Sequence, residues 1–85
     1  MSVTKELKQS LESVVLEILE TQSMCGYDII KVLFQRYGLF ISPGRIYPLL
    51  SYLEGLGILK SEIGGRRSKV YYLARKQVKP THLHP

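Results

Sequence analysis

Three apolar stripes at helical spacing, followed by a change to strand-like spacing, constrain the fold of this chain most strongly. Over about residues 4–22, 26–37 and 43–56, apolar side chains recur every three or four residues, which predicts three amphipathic helices. After Gly57, two short β-like runs over 58–63 and 68–73 flank Gly64-Gly65, which predicts a β-hairpin. The order α-α-α-β-β is typical of a winged helix–turn–helix, a mainly α fold with a β-hairpin (α+β). In it, helix 3 is the recognition helix and the hairpin is the wing.

Residues that favour helix ends mark the boundaries of these elements. Helix 2 is expected to start near Gly26, as an N-cap glycine, and to end before Gly38, which adopts positive φ readily. Ser42-Pro43 starts helix 3, because Ser favours the N-cap and Pro the first helical position. Pro48 removes one hydrogen bond from the second turn, so we expect a distorted but continuous helix. The apolar stripe of helix 2 consists of Tyr27, Ile30, Phe34 and Tyr37, with Ile29 and Leu33 beside it.

The 85 residues leave room for one small domain, expected over 1–74, followed by a basic, flexible tail over 75–85. No apolar run approaches the roughly 18 residues of a membrane helix, and the N-terminus lacks a signal peptide's apolar region. We therefore expect a soluble, cytoplasmic protein. Because a core this small gives marginal stability, we also expect a dimer.

The charges are divided unevenly along the chain, whose formal net charge is +5. Residues 1–43 contain four basic and five acidic side chains, a balance of −1. Residues 44–85 contain eight basic and two acidic side chains, a balance of +6. Such a concentration of positive charge indicates a polyanion as partner.

Residues that would support catalysis or metal binding are few. The single cysteine, Cys25, excludes an internal disulfide and a multi-Cys zinc site, and we interpret it as a small packing residue. His82 and His84 lie in the predicted tail and supply two metal ligands without a third. No Walker-type phosphate loop is present. We expect no enzymatic activity, no cofactor and no metal.

The outward face of helix 3 suits the major groove of double-stranded DNA. On a helical wheel the apolar residues share one side, which leaves small, polar and aromatic residues on the other. Small residues allow close approach to the backbone, and Arg45 can reach a phosphate or a guanine edge. On the hairpin, three cations lie close together with no acid expected beside them. The apolar side comprises Ile46, Leu49, Leu50, Leu53 and Leu56; the predicted DNA-binding residues are Ser42, Gly44, Arg45, Tyr47, Pro48, Ser51 and Tyr52 of helix 3 and Arg66, Arg67, Ser68 and Lys69 of the wing.

Several segments within about residues 11–74 resemble the PadR-type transcriptional regulators. They are Gly26-Tyr27-Asp28-Ile29, Ser42-Pro43-Gly44-Arg45-Ile46-Tyr47-Pro48-Leu49-Leu50, Leu53-Glu54, Leu56-Gly57-Ile58-Leu59 and Val70-Tyr71-Tyr72-Leu73. The second is the specific one, and it includes Pro48. The resemblance implies a winged-helix DNA-binding repressor that acts as a homodimer. It places Ser42, Gly44, Arg45, Tyr47 and Pro48 at the DNA-facing end of helix 3 and the basic residues of the hairpin on the wing.

This sequence departs from the family pattern in three respects. Cys25 stands where the family has His, and Ala74 where it has Thr. PadR-type proteins usually continue into C-terminal helices that build the dimer and part of an effector pocket, whereas this sequence ends about a dozen residues after the wing. We therefore expect the dimer to use another surface, with helix 1 as the candidate because Leu16 lies off its core stripe, and we do not expect ligand regulation.

Two other functions are compatible with the same fold. A winged helix that binds proteins instead of DNA would need an exposed apolar patch on helix 3, where the wheel shows none of any size. An RNA-binding protein would usually carry paired aromatics on its strands to stack unpaired bases, and the pattern lacks them. The basic hairpin favours DNA without excluding either alternative.

Overall fold

The computed structural model describes residues 10–74 of the chain. The predicted tail, with His82 and His84, lies outside the described residues. The described helices and strands form the α+β winged helix that the sequence predicted. The helices are α1 (Leu11–Thr21), α2 (Gly26–Tyr37) and α3 (Pro43–Gly55), and the strands are β1 (Met24–Cys25), β2 (Leu59–Ile63) and β3 (Lys69–Leu73). Among residues 10–74, no helix is long and apolar enough to cross a bilayer.

Helix α1 begins at Leu11, with Ser10 as its N-cap, and the predicted start near residue 4 lies outside the described residues. Ser10 has extended backbone angles (φ −74°, ψ 157°), and its side chain accepts a hydrogen bond of 3.1 Å from the Ser13 amide. That bond satisfies one of the amides that lack a partner in the first turn of a helix. This capping bond fixes the first residue of the described helix at Leu11.

The sheet contains one strand more than the predicted hairpin. Its order is β1-β3-β2, with both neighbours antiparallel to β3. In the register, Tyr71 lies opposite Met24 on one side and Ser61 on the other. The sequence did not reveal β1, because a segment of two residues between helices is too short to show a strand period. The strand attaches the α1–α2 connection to the wing.

The hydrophobic core lies between the three helices and one face of the sheet. In α3 the apolar spacing predicted Ile46, Leu50 and Leu53 correctly, whereas Leu49 is only partly buried. In α2 the predicted stripe is wrong, because Ile29 and Leu33 are fully buried whereas Tyr27, Phe34 and Tyr37 are exposed. The core consists of Val14, Val15, Ile18, Leu19, Ile29, Leu33, Ile46, Leu50, Leu53, Leu59, Tyr71 and Leu73.

Glycines end α2 and α3 in left-handed conformations. Gly38 has a φ of 67° after α2, and Gly57 has a φ of 82° after α3. At α3, the Gly57 amide donates to the Glu54 carbonyl and the Ile58 amide to the Leu53 carbonyl, both at 3.0 Å. This pair of bonds is a Schellman motif. Because the helix ends at Gly55, Leu56 does not continue the core stripe and is 56 % exposed, contrary to the wheel.

Candidate nucleic-acid interface

Helix α3 has one buried face and one exposed face, as the helical wheel predicted. Ile46, Leu50 and Leu53 pack into the core with at most 2 % of their surface exposed. The structure leaves all eleven predicted DNA-binding residues exposed, including the seven on or next to α3 and the four on the wing. Gly44, Pro48, Ser51 and Gly55 recur at helical spacing and form an outward stripe of small residues.

The N-terminus of α3 has the predicted Ser-Pro arrangement with one difference. Ser42 has extended angles (φ −79°, ψ 159°) and occupies the N-cap, but its side chain makes no capping hydrogen bond. Its carbonyl instead accepts from the Arg45 and Ile46 amides, both at 3.0 Å. The Ser42 hydroxyl therefore remains available to a partner outside the protein.

Pro48 does not interrupt α3, which runs from Pro43 to Gly55, so the prediction of a single continuous helix is confirmed. Proline lacks the amide that would donate to the carbonyl of Gly44. Both residues lie on the exposed face, where water or a ligand can satisfy that carbonyl. The missing hydrogen bond is thus tolerated because the affected turn is outside the core.

Tyr47 is held by packing as well as exposed to solvent. Its side chain is 41 % exposed, and its ring lies against Gly26, the first residue of α2. A Cβ built on Gly26 would lie 2.5 Å from Tyr47 Cε1 and 2.8 Å from Cζ. Gly26 is buried and is the first residue of α2. The N-cap is Cys25, so the prediction of Gly26 as the N-cap is wrong.

The wing tip is wider than the predicted Gly64-Gly65 turn. A short 3₁₀ turn spans Gly65–Arg67, and the Gly64 amide donates to the Ser68 carbonyl at 2.6 Å to close the loop. Arg66 and Arg67 have φ values of 59° and 61°, in the left-handed region that non-glycine residues rarely adopt. The Ser68 hydroxyl donates to the Gly65 carbonyl at 3.0 Å, so this side chain already stabilises the turn. The two arginines form the exposed tip itself.

Lys69 differs from the two arginines because an acid lies beside it. Its Nζ is 3.6 Å from Glu54 Oε1 on α3 and 5.8 Å from the centre of the Tyr71 ring. The expectation that the three wing cations have no neighbouring acid is therefore wrong for Lys69. The sequence did not reveal this contact, because helical and strand periods assign residues to the faces of a single element. They do not show that the end of α3 meets the wing.

Burial raises the pKa of the Tyr71 hydroxyl above its usual value, because the phenolate would lose hydration. The Lys69 ammonium opposes this change, whereas Glu54 and Tyr47 reinforce it. Tyr71 is 3 % exposed and lies on the central strand. The charged groups that act on Tyr71 therefore come from both α3 and the wing.

A family comparison decides the class of protein to which this geometry belongs. The family described as "Transcriptional regulator PadR-like family" matches residues 15–76. The chain belongs to the PadR-like family. The family comprises DNA-binding transcription regulators and not enzymes, which confirms both the predicted resemblance and the expectation that the chain is not an enzyme.

Solved structures of PadR-like and other regulators have the same fold. A PadR family transcription regulator from Clostridium difficile is 26 % identical, with a TM-score of 0.69 over 80 % of this chain and 75 % of that one. A PadR-like transcription factor from Bacteroides fragilis is 24 % identical, with a TM-score of 0.71 over 95 % and 85 %. A transcriptional regulator from Clostridium thermocellum is 23 % identical, with a TM-score of 0.72 over 82 % and 73 %. A comparison with curated proteins found no match.

The segment of this PadR-like chain that carries the most specific resemblance, 42–50, forms the N-cap and first half of α3. Cys25, which replaces the family's His, lies in β1 with its Sγ 3.4 Å from Asp28 Oδ2. Within residues 10–74, no group of three or more His, Cys, Asp or Glu side chains is arranged to hold a metal ion. The distinctive part of the described chain is thus the exposed half of α3 and the wing.

Proposed function

We propose that this PadR-like chain binds double-stranded DNA with α3 in the major groove and with the wing on the backbone or the adjacent minor groove. The observation that carries the proposal is the division of α3 into a fully buried apolar face and an outward face of small, polar and aromatic residues. Glu54 is the single acid in α3, and its carboxylate is occupied by Ser61 and Lys69. The outward face therefore presents little charge that would repel phosphate.

On α3 the proposed contacts divide by chemistry. Gly44, Pro48 and Ser51 allow the helix axis to approach the base edges, because none of them has a large side chain. Arg45 reaches a phosphate or pairs with the O6 and N7 atoms of guanine. The hydroxyl groups of three further residues donate hydrogen bonds to phosphate: Ser42, Tyr47 and Tyr52.

On the wing, we assign the phosphate or minor-groove contacts to the tip. Arg66 and Arg67 are adjacent and exposed, and in the described part of the chain neither forms an ion pair. Two unpaired neighbouring cations repel each other, and a phosphate or a narrow minor groove relieves that repulsion. Ser68 flanks them and orients the turn through its bond to Gly65.

Equilibrium binding to a labelled random-sequence DNA duplex, measured by fluorescence anisotropy at several salt concentrations, tests this proposal. We expect binding that weakens steeply with salt and that a matched RNA duplex displaces poorly. Replacing both tip arginines by Ala should lower the slope of log K against log salt by about two. The control K31A/R36A removes two exposed cations from α2, outside the proposed surface, and should leave the slope unchanged. Absence of binding at low salt would contradict the proposal.

We further propose a homodimer, since a two-fold protein would read two half-sites about 34 Å apart, or a multiple of that distance. Leu11 and Leu16 of α1 are only partly buried, which makes α1 the candidate interface. Sedimentation velocity of the wild type and of Leu16→Lys tests it: the variant should shift the protein towards monomer. A wild type that remains monomeric at high concentration would contradict the dimer.

Repression is the regulatory effect we favour, because a dimer on its operator excludes polymerase from the same DNA without any further contact. We also propose that the protein acts in the cytoplasm. In vitro transcription from a template that carries a selected operator tests the sign of regulation. Transcript levels should fall as occupancy rises, and an increase would show activation instead.

One observation favours protein binding as a second candidate function. Phe40 is 86 % exposed and stacks on Phe34, which is 53 % exposed, with ring centres 5.0 Å apart. Exposed aromatic pairs are common at protein interfaces. This patch lies on α2 and the α2–α3 connection and not on α3, so it is compatible with DNA binding. Phe40→Ser in the sedimentation experiment separates a dimer through this patch from one through α1.

A further inference from the structure

The carboxylate of Glu54 contacts both strands of the wing from the last turn of α3. Its Oε2 accepts a hydrogen bond of 2.7 Å from Ser61 Oγ on β2, and its Oε1 lies 3.6 Å from Lys69 Nζ on β3. Both contacts are made by one side chain, which is about one-third exposed. A bond of this length between a hydroxyl and a carboxylate belongs to the strong, charge-assisted class.

These contacts lie where the hydrophobic core stops supporting the wing. At the base of the hairpin, Leu59 and Leu73 pair with each other and both are buried. At the outer end, Ile63 and Lys69 pair with each other and both are exposed. Ser61 lies at the middle of β2, between these two ends. Ser61 lies opposite the core residue Tyr71, so Glu54 holds the hairpin at its last buried pair and, through Lys69, beyond it.

From this arrangement we propose that Glu54 is a positioning residue that fixes the wing against α3 through Ser61 and Lys69. We call the two contacts of Glu54, with Ser61 and with Lys69, the tie. While Lys69 takes part in the tie it does not contact phosphate, in contrast to Arg66 and Arg67. The part of the inference that concerns phosphate rests on the DNA binding proposed above. A phosphate that contacted Lys69 would come close to the Glu54 carboxylate, which has the same charge sign.

Hydrogen exchange of the free protein tests the tie without DNA. The wing amides of Lys60, Val70 and Tyr72, which lie at hydrogen-bonded positions of the β2–β3 ladder, are compared with those of α1 in the wild type, E54A, E54Q and S61A. We expect E54A and S61A to speed exchange of the wing amides about tenfold and to leave α1 unchanged. E54Q keeps an oxygen that accepts from Ser61, so its wing should exchange more slowly than that of E54A. The matched control E62Q removes an exposed acid from the same strand and should match the wild type.

Salt dependence of DNA binding tests the assignment of Lys69. Arg67→Gln should lower the slope of log K against log salt by about one, as expected for one lost phosphate contact. Lys69→Gln should weaken binding and leave that slope unchanged. E54Q frees Lys69 and should raise the slope by about one, and the double variant E54Q/K69Q should abolish that increase. E62Q again controls for the removal of a negative charge near the DNA.

Each result supports or overturns a distinct part of the inference. Wing amides that exchange in E54A as in the wild type overturn the tie. A Lys69→Gln variant that lowers the slope as much as Arg67→Gln overturns the assignment of Lys69 and leaves DNA binding intact. If the wild type binds no DNA at low salt, the proposed function fails, while hydrogen exchange still decides whether Glu54 positions the wing.

Discussion

The ring of Tyr47 rests on the backbone of Gly26. A methyl group at Gly26 would lie 2.5 Å from Tyr47 Cε1 and 2.9 Å from its hydroxyl oxygen, closer than carbon atoms approach in folded proteins. The residue that begins α2 and a residue on the proposed DNA surface of α3 therefore form one packing unit. The orientation of the Tyr47 hydroxyl depends on the absence of a side chain at Gly26.

We expect Gly26→Ala to displace the Tyr47 ring, with a loss of about 1 kcal/mol in the free energy of unfolding. In a Tyr47→Ala background the same substitution meets no ring and should be neutral or slightly stabilising, because Ala favours a helix over Gly. Urea unfolding of the four proteins of this double-mutant cycle measures the coupling. Additive effects would show that the two residues do not interact.

Gly44→Ala should separate stability from DNA binding. A Cβ at Gly44 meets only Ser42 Oγ, at 3.7 Å, so the free protein accommodates it. Since Ala favours the helix, the free energy of unfolding should rise by about 0.5 kcal/mol. DNA affinity should fall about fivefold, equivalent to about 1 kcal/mol, because the added methyl group faces the groove. Gly55→Ala, at the far end of the same stripe, is the comparison variant. An unchanged DNA affinity of Gly44→Ala would contradict a close approach of the helix to DNA at Gly44.

The left-handed residues of the wing tip allow a second test that separates stability from DNA binding. Arg66 and Arg67 each hold a φ near 60°, which costs a non-glycine residue about 1 kcal/mol. Arg67→Gly should therefore unfold at higher urea concentration than Arg67→Ala, although both variants lose the same charge and the same DNA affinity. Equal stability of these two variants would indicate that the turn is not strained at this position.

The raised pKa of Tyr71 predicts a loss of stability in alkaline solution. The folded protein holds the Tyr71 proton more tightly than the unfolded chain, whose tyrosine titrates near pH 10. The resulting stabilisation is complete below about pH 10 and is lost as the pH rises through the raised pKa. Urea unfolding from about pH 8 to about pH 11 should show a steeper decline for the wild type than for Tyr71→Phe.

Local patterns predicted the architecture because they reflect interactions within single elements. The spacing of Ile46, Leu50 and Leu53 requires only that a helix has 3.6 residues per turn, and the structure buries all three. The Ser42-Pro43 start and the Gly57 end depend on backbone preferences of the residues themselves. The same reasoning gave a wrong stripe in α2, because Tyr27 and Phe34 satisfy a helical period while lying on its exposed side.

The order of the residues was enough to predict three helices, a hairpin, the buried side of α3 and the concentration of positive charge in the second half of the chain. How these elements meet became visible only in the folded chain. Two residues, Met24-Cys25, form a strand only because β3 supplies hydrogen-bond partners. Gly26 supports Tyr47, and Glu54 pairs with Lys69, only because α2 and the wing pack against α3. Such contacts join residues distant in the chain, and no period along a single element encodes them.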